Sequence, residues 1–230
     1  MPNFEPATVL IFLGFIFSIV VHECAHGLVA HWCGDDTAIQ LGRITLNPIS
    51  HIDPVMSILL PGFLLMASHG QCAFGGAKPV PVNPRKYRRF VRGDVIVSLA
   101  GIVVNLILFV VFGGLYAVVG MMAGALPALA GTLGILQTMM WAGMRLNLIL
   151  AFFNLIPIPP LDGSHVFYHL LPPGAGLKYL QLYMLGFIPI LLISWLAPGV
   201  ITLFLWPADR LMQLGLAVVG GFRIVAGAGS

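Results

Sequence analysis

His22-Glu23-Cys24-Ala25-His26 fits the pattern H-E-x-x-H. On an α-helix, positions i and i+4 share a face, so two imidazoles at this spacing converge on one metal ion. The intervening carboxylate then sits beside that ion, where it can act as a base. The alternative reading is a polar cluster at a helix end. It fits poorly, because Glu23 follows a long apolar run, and an ionisable residue inside such a helix is costly unless it is partnered.

Two histidines do not complete a catalytic zinc site, which takes three protein ligands and one open position. The chain offers six aspartates for the third place. Asp35 and Asp36 follow Gly34, which ends the first helical pattern, and are expected to face water. Asp94 precedes an apolar segment, and Asp209 neighbours Arg210. Asp53 and Asp162 remain. Asp162 lies in Asn154-Leu-Ile-Pro-Ile-Pro-Pro-Leu-Asp162-Gly163. Prolines remove backbone donors there, and unwound backbone at membrane depth is tolerated only where it lines a cavity. Asp162 is therefore either a metal ligand or a helix cap. His51, three residues after Pro48, either lines the cleft or is satisfied by nearby backbone.

These residues need elements to hold them, and the composition says where those elements lie. Hydrophobic residues make up 59% of the chain and charged ones 8%, against about 25% charged in a soluble domain. Residues 95–144 and 179–208 hold no Lys, Arg, Asp, Glu or His. A bilayer span needs about 20 apolar residues, so the first run alone holds two passes. The chain reads as one membrane-embedded domain, residues 1–230, in a lipid bilayer, with no separate soluble domain.

Lys78, Arg85, Lys86, Arg88, Arg89 and Arg92 gather in one loop. Such a cluster marks a cytosolic loop under the positive-inside rule rather than a nucleic-acid surface, which would need stacking aromatics on a soluble face. Cys24, Cys33 and Cys72 make no C-x-x-C pair, so neither disulfides nor a thiolate zinc site is expected. The N-terminal apolar run lacks the basic residues of a signal peptide and reads as a retained helix.

The apolar pattern predicts helices over about 7–32, 95–121, 135–156, 177–196 and 200–219. A shorter segment, 54–67, is interrupted at Pro61-Gly62. Residues 38–52 alternate weakly and suggest short strands or an irregular loop. Residues 70–84 are rich in Gly and Pro, which favour extended backbone. The expected fold is an all-α integral membrane protein of five to six transmembrane helices. A short β or irregular membrane-associated region follows the first helix, and 54–67 is a candidate re-entrant segment.

Four stretches together resemble the site-2 proteases, intramembrane zinc metalloproteases, in their short prokaryotic form without PDZ or CBS domains. They are His22-Glu23-x-x-His26-Gly27, Leu46 through Pro54 (LNPISHIDP), Ala77 through Pro84 (AKPVPVNP), and Asn154 through Gly163. The resemblance spans about residues 15–170. It implies one Zn2+ per chain bound by His22, His26 and Asp162, with Glu23 activating water. It also implies that Asn154 positions the substrate or the developing oxyanion. Where the family has A-G-P-x-x-N, this chain reads Ala100-Gly101-Ile102-Val103-Val104-Asn105, keeping the Gly and Asn105 as a further polar candidate but losing the Pro.

No Lys or Arg precedes Arg43, so an external N-terminus is expected, with the site toward the cytosolic side of a prokaryotic inner membrane. The leading reading is hydrolysis of a peptide bond in a transmembrane protein substrate. A metal transporter would need polar groups spread along a pathway, which the later segments lack. A catalytically silent relative that holds a client helix is the other alternative. Neither the client nor the oligomeric state is legible in the sequence.

Overall fold

The computed structural model describes residues 6–59, 62, 66 and 75–224. Among them every regular element is helical and no strand occurs. The α-helices in chain order are α1 (Pro6–Cys33), α2 (Thr37–Gln40), α3 (Phe90–Ala125), α4 (Ala130–Asn154), α5 (Asp162–Tyr168), α6 (Pro173–Leu180), α7 (Ile188–Leu196) and α8 (Pro198–Val219). Among the described residues, three helical stretches are long and apolar enough to cross a membrane: Leu10–Cys33, Phe90–Ala125 and Pro127–Asn154. At 1.5 Å per residue α3 runs about 54 Å, well beyond a hydrocarbon core of about 30 Å.

The expectation of five to six spans is met only in part. The predicted helix over 177–196 is broken: Pro173–Leu185 and Ile188–Leu196 meet at 91°, and the pair adds a fourth span only if counted as one. Gly186 sits at the break with φ 55°, and Pro189 follows in the first turn of α7. Asp209 and Arg210 lie mid-way along α8 and Pro207 lies inside it, so its apolar run is interrupted.

Residues 38–52, expected as short strands or an irregular loop, form no strand. Thr37–Gln40 forms a helical turn, Gly42 takes φ 61°, and Pro48–His51 forms a 3-10 turn capped by Asn47, whose side chain accepts from Ile49 N–H at 3.1 Å. An Asn-Pro pair satisfies its own local backbone in this way, which competes with strand pairing. Asn83-Pro84 repeats the device, with Asn83 accepting from Arg85 N–H at 3.2 Å. Residues 54–59 make a π-helical turn. The rest of the candidate re-entrant segment, including Pro61, lies outside the described residues apart from 62 and 66, and so do residues 70–74.

By packing, the chain divides into two compact units: Ile19–Gly101, and the two ends, Met1–Ser18 with Ile102–Ser230. In the first, Ala30, Tyr87 and Val97 form a small core joined by Val29 and Cys33. The helix α1 stops at Gly34, whose φ of 114° suits glycine. Gly34 N–H bonds His31 O at 3.0 Å and Asp35 N–H bonds Ala30 O at 2.9 Å, a Schellman ending. Polar ties then fasten the irregular chain: Lys78 N–H to His51 O at 2.8 Å, Arg43 Nη2 to Lys78 O at 3.2 Å, and Arg88 N–H to Cys33 O at 2.9 Å.

In the second unit, helices α4 and α8 pack along each other over a core containing Phe112, Met144, Leu148 and Ala208. Glycines set the spacing: a Cβ on Gly143 would stand 2.6 Å from the Phe112 ring, and one on Gly215 would stand 2.7 Å from Phe109. The polar ties are few. Asn147 Nδ2 donates to Ser18 Oγ at 3.0 Å, and Gln137 gathers Tyr116 O, Phe222 O and Ile224 N–H.

Candidate metal centre

His22 and His26 are both buried on one face of α1. Their Nε2 atoms lie 3.1 Å apart, with the rings edge to face at 4.7 Å between centroids. His26 Nδ1 contacts Val97 O at 2.8 Å. A carbonyl only accepts, so Nδ1 carries the proton and Nε2 presents its lone pair. A backbone carbonyl orienting the remote nitrogen is the usual support of a metal-bound histidine. Two nitrogens on one tetrahedral zinc, each at about 2.05 Å, stand about 3.3 Å apart. The observed 3.1 Å separation is close to that.

Gly101, on α3, gives the second sign that a small ion fits. A Cβ there would lie 2.5 Å from His26 Nε2 and 2.6 Å from His22 Nε2. The missing side chain leaves room where both lone pairs converge. The donor set, two imidazole nitrogens pre-oriented by helix and carbonyl, suits Zn2+.

Glu23 is half-buried, and its Oε2 accepts from Val80 N–H at 2.8 Å. Val80 reaches α1 because position 27 is glycine: a Cβ on Gly27 would stand 2.8 Å from Val80 Cγ1 and 3.1 Å from Ile44 Cγ1. The proline-rich run thus lays one backbone donor on the carboxylate between the two histidines. Asp35 holds the far end of the same run. It is fully buried, against the expectation that it faces water. Its carboxylate accepts from Thr37 N–H at 3.0 Å, Thr37 Oγ1 and Asn83 N–H, with Lys86 Nζ at 3.8 Å. Burial alone would raise its pKa; the Thr37 and Asn83 bonds and the Lys86 charge outweigh it and hold the carboxyl below the usual range. Asp36 is half-exposed, and its bond from Lys86 lowers its pKa.

In the other unit, Asn154 is the last residue of α4, and its Nδ2 donates back to Leu150 O at 2.9 Å. The chain then unwinds through Pro157, Pro159 and Pro160, with the Pro159-Pro160 bond cis, and Asp162 opens α5. Two tyrosines hold this loop: Tyr179 OH donates to Pro157 O at 3.1 Å, and Tyr183 OH shares a 2.5 Å hydrogen bond with Ser164 Oγ. Gly163 lets the loop close, since a Cβ there would stand 2.9 Å from Ile156 O. Asp162 is half-buried and Asn105 is fully buried on α3.

Of the remaining candidates, His51 is buried and its Nε2 contacts Thr45 O at 2.9 Å, whereas its Nδ1 is buried with no hydrogen-bond partner among the described residues. Asp53 is occupied as a cap, its Oδ1 accepting from Val55 N–H at 2.9 Å and Met56 N–H at 2.8 Å. His31 is exposed, and His165 and His169 lie against Tyr183 and Tyr168; His69 lies outside the described residues. Arg145 lies 5.9 Å from the Trp141 ring centroid, a cation–π contact. Sequence reasoning did not assign functions to Gly101, Val80, Asp35 and the two tyrosines. Gly27 and Gly101 do belong to recognised motifs, but a backbone donor such as Val80 N–H has no side-chain signature.

The sequence model of peptidase family M50 matches residues 115–176, which include Asn154 through Asp162. A Bacillus subtilis (strain 168) protein, "Putative zinc metalloprotease YwhC", is 41% identical over 208 residues, 88% of this chain and 89% of that one. "Putative zinc metalloprotease Rip2" of Mycolicibacterium smegmatis is 33% identical over 159 residues, 67% of this chain and 54% of its own. The Mycobacterium tuberculosis H37Rv protein of the same name is 30% identical over 162 residues, with the same shares. The chain therefore spans about half the length of the Rip2 proteins. No solved structure matches. With its 41% identity to a relative along most of both chains, this membrane protein belongs to peptidase family M50, the zinc-dependent site-2 protease metalloproteases.

Proposed function

We propose that the protein hydrolyses a peptide bond within or near the transmembrane segment of a membrane protein, with Glu23 as general base and His22, His26 and Asp162 as zinc ligands. The observation that carries this is one turn of α1: two Nε2 atoms 3.1 Å apart, with the intervening carboxylate held at 2.8 Å by Val80 N–H. Each of the three ligands offers one imidazole nitrogen or carboxylate oxygen, and none is solvent-exposed. Asp53, the rival acid, already spends its carboxylate on two backbone donors.

Zinc bound by these residues supplies Lewis acidity that polarises the scissile carbonyl and acidifies water. Glu23 takes the proton from the attacking water as the new C–O bond forms. It then delivers a proton to the amide nitrogen as the C–N bond breaks. Val80 N–H keeps the carboxylate in place for both transfers. Asn154 and Asn105 offer amide donors to the developing oxyanion. His51 acts through its bond to Thr45 O, which fixes the loop bearing exposed Leu46 and Ile49. That loop and the extended run 77–82 receive the unwound substrate as an added strand.

The site faces the cytosol in this reading. Arg85, Lys86, Arg88, Arg89 and Arg92 are exposed, and Arg88 N–H is bonded to Cys33 O at the end of α1 that carries the histidines. Positive residues are retained inside, so that end of α1 lies inside and the N-terminus outside. The test uses the full chain in lipid vesicles with a labelled single-span peptide. Mass spectrometry is expected to place the cut inside or beside the span, with none for Glu23→Gln. Cleavage confined to soluble peptides would overturn the intramembrane reading.

A further inference from the structure

We infer that Asp35 is a positioning residue for Glu23, acting through the backbone of residues 80–83. The inference rests on Glu23 being the general base. The Schellman turn at Gly34 sends Asp35 inward rather than to water, and its carboxylate takes Asn83 N–H at 2.5 Å. Three residues earlier, Val80 N–H is on Glu23 Oε2. Pro81 lies between them. It fixes its own φ and restricts Val80 before it, so the four residues form a short stiff arm.

Both ends of the arm are anchored on the same unit. At one end Val80 is seated against Gly27, where a Cβ would intrude to 2.8 Å. At the other, Asp35 is itself fixed by two bonds from Thr37 and by the Lys86 charge. A stiff arm fixed at both ends holds Val80 N–H, and with it the carboxylate, at one place. Released at Asn83, the arm pivots and Glu23 samples rotamers that face away from the reacting atoms. Asp36 is the internal control. It is half-exposed, and its side-chain bonds go to Lys86 and Gln40 rather than to the arm.

Asp35→Asn keeps the size and one carbonyl oxygen for Thr37, but can set an amide NH2 against Asn83 N–H. With the full chain in vesicles, kcat is expected to fall about 10- to 100-fold, the range typical when support for an active-site group is removed. Zinc content and KM should hold. The decisive arm is a double-mutant cycle: in the Glu23→Gln background, Asp35→Asn should lower the residual rate no further. Thr37→Val, a milder release of the same carboxylate, should show a smaller loss with the same non-additivity, and Asp36→Asn should keep wild-type kcat. A further full loss from Asp35→Asn on top of Glu23→Gln, or wild-type kcat in Asp35→Asn alone, overturns the positioning role while leaving the base intact. Wild-type turnover in Glu23→Gln alone would overturn the base itself, an outcome separable because Asp35 is untouched.

Discussion

Among the described residues of 19–101, bonds between polar side chains and backbone tie the irregular chain together, whereas among those of 102–224 helices are laid along one another. In the first unit Asp35, Arg43 and Glu23 each reach backbone of another segment, and His51 ties its own loop at Thr45 O. In the second, α4 and α8 pack along each other, and Gly143 and Gly215 admit the rings of Phe112 and Phe109 from α3. The difference follows from what each must hold. Helix-to-helix packing spreads its energy over many contacts and tolerates small shifts. A carboxylate proposed to act as a base has to be aimed, and Glu23 is tied by a short, directional bond. The polar exception in the second unit makes the same point: the loop before Asp162 is where Tyr179 and Tyr183 supply such ties.

This contrast predicts the largest losses where the polar ties meet the metal. His22→Ala or His26→Ala should each remove the zinc, read by elemental analysis of purified protein, and with it all activity. Full zinc in both variants would move the metal elsewhere.

Gly101→Ala comes next. Its methyl would intrude to about the distances given above between two ring nitrogens, so zinc affinity should fall by at least about 10- to 100-fold, measured by chelator competition. Gly114→Ala is the matched control on the same helix, since nothing lies within 4 Å of its Cβ. Equal affinity in the two variants would mean that the close approach at Gly101 does not shape the metal site.

Tyr179→Phe removes one neutral hydrogen bond from the loop before Asp162 and should cost about 1 kcal/mol in thermal stability. Activity should fall more than that cost implies, because the loop carries Asp162. A stability loss with unchanged activity would make this tie purely structural.

The smallest effect concerns pH. Asp35 is depressed in the fold, so it binds fewer protons there than in the unfolded chain. Its contribution is complete above the unfolded carboxylate pKa of about 3.9 and is lost as pH falls through the lower folded value. The melting temperature of the wild type should therefore drop more steeply below about pH 4 than that of Asp35→Asn, with the two curves parallel above pH 5. Parallel curves throughout would show that Asp35 is not depressed.

The placement of the candidate residues was legible where it rests on side-chain identity and spacing. His22, Glu23 and His26 advertise one helical face, and the prolines before Asp162 mark the unwinding at the end of α4. The positions of α3 and α8 also followed the apolar pattern, although α3 extends beyond the expected 95–121 at both ends, from Phe90 to Ala125. What stayed hidden depends on backbone groups and on turns. Val80 N–H leaves no trace in the sequence. Asp35 beside Asp36 reads as two surface acids until the turn at Gly34 separates one inward and one outward. Residues 38–52 alternate like strands, yet Asn47 and Gly42 commit the backbone to local turns. The bend at Gly186 was invisible because the flanking residues are uniformly apolar.

The central claim, that a bound zinc and a separate carboxylate divide the work on α1, is tested most directly by zinc content and cleavage rate measured on the same preparation of Glu23→Gln. The amide keeps the shape and can still accept from Val80 N–H, but it cannot take a proton from water. The account predicts one zinc per chain, as in wild type, with cleavage of a transmembrane substrate reduced about 10²- to 10⁴-fold. Wild-type cleavage with zinc retained would contradict it.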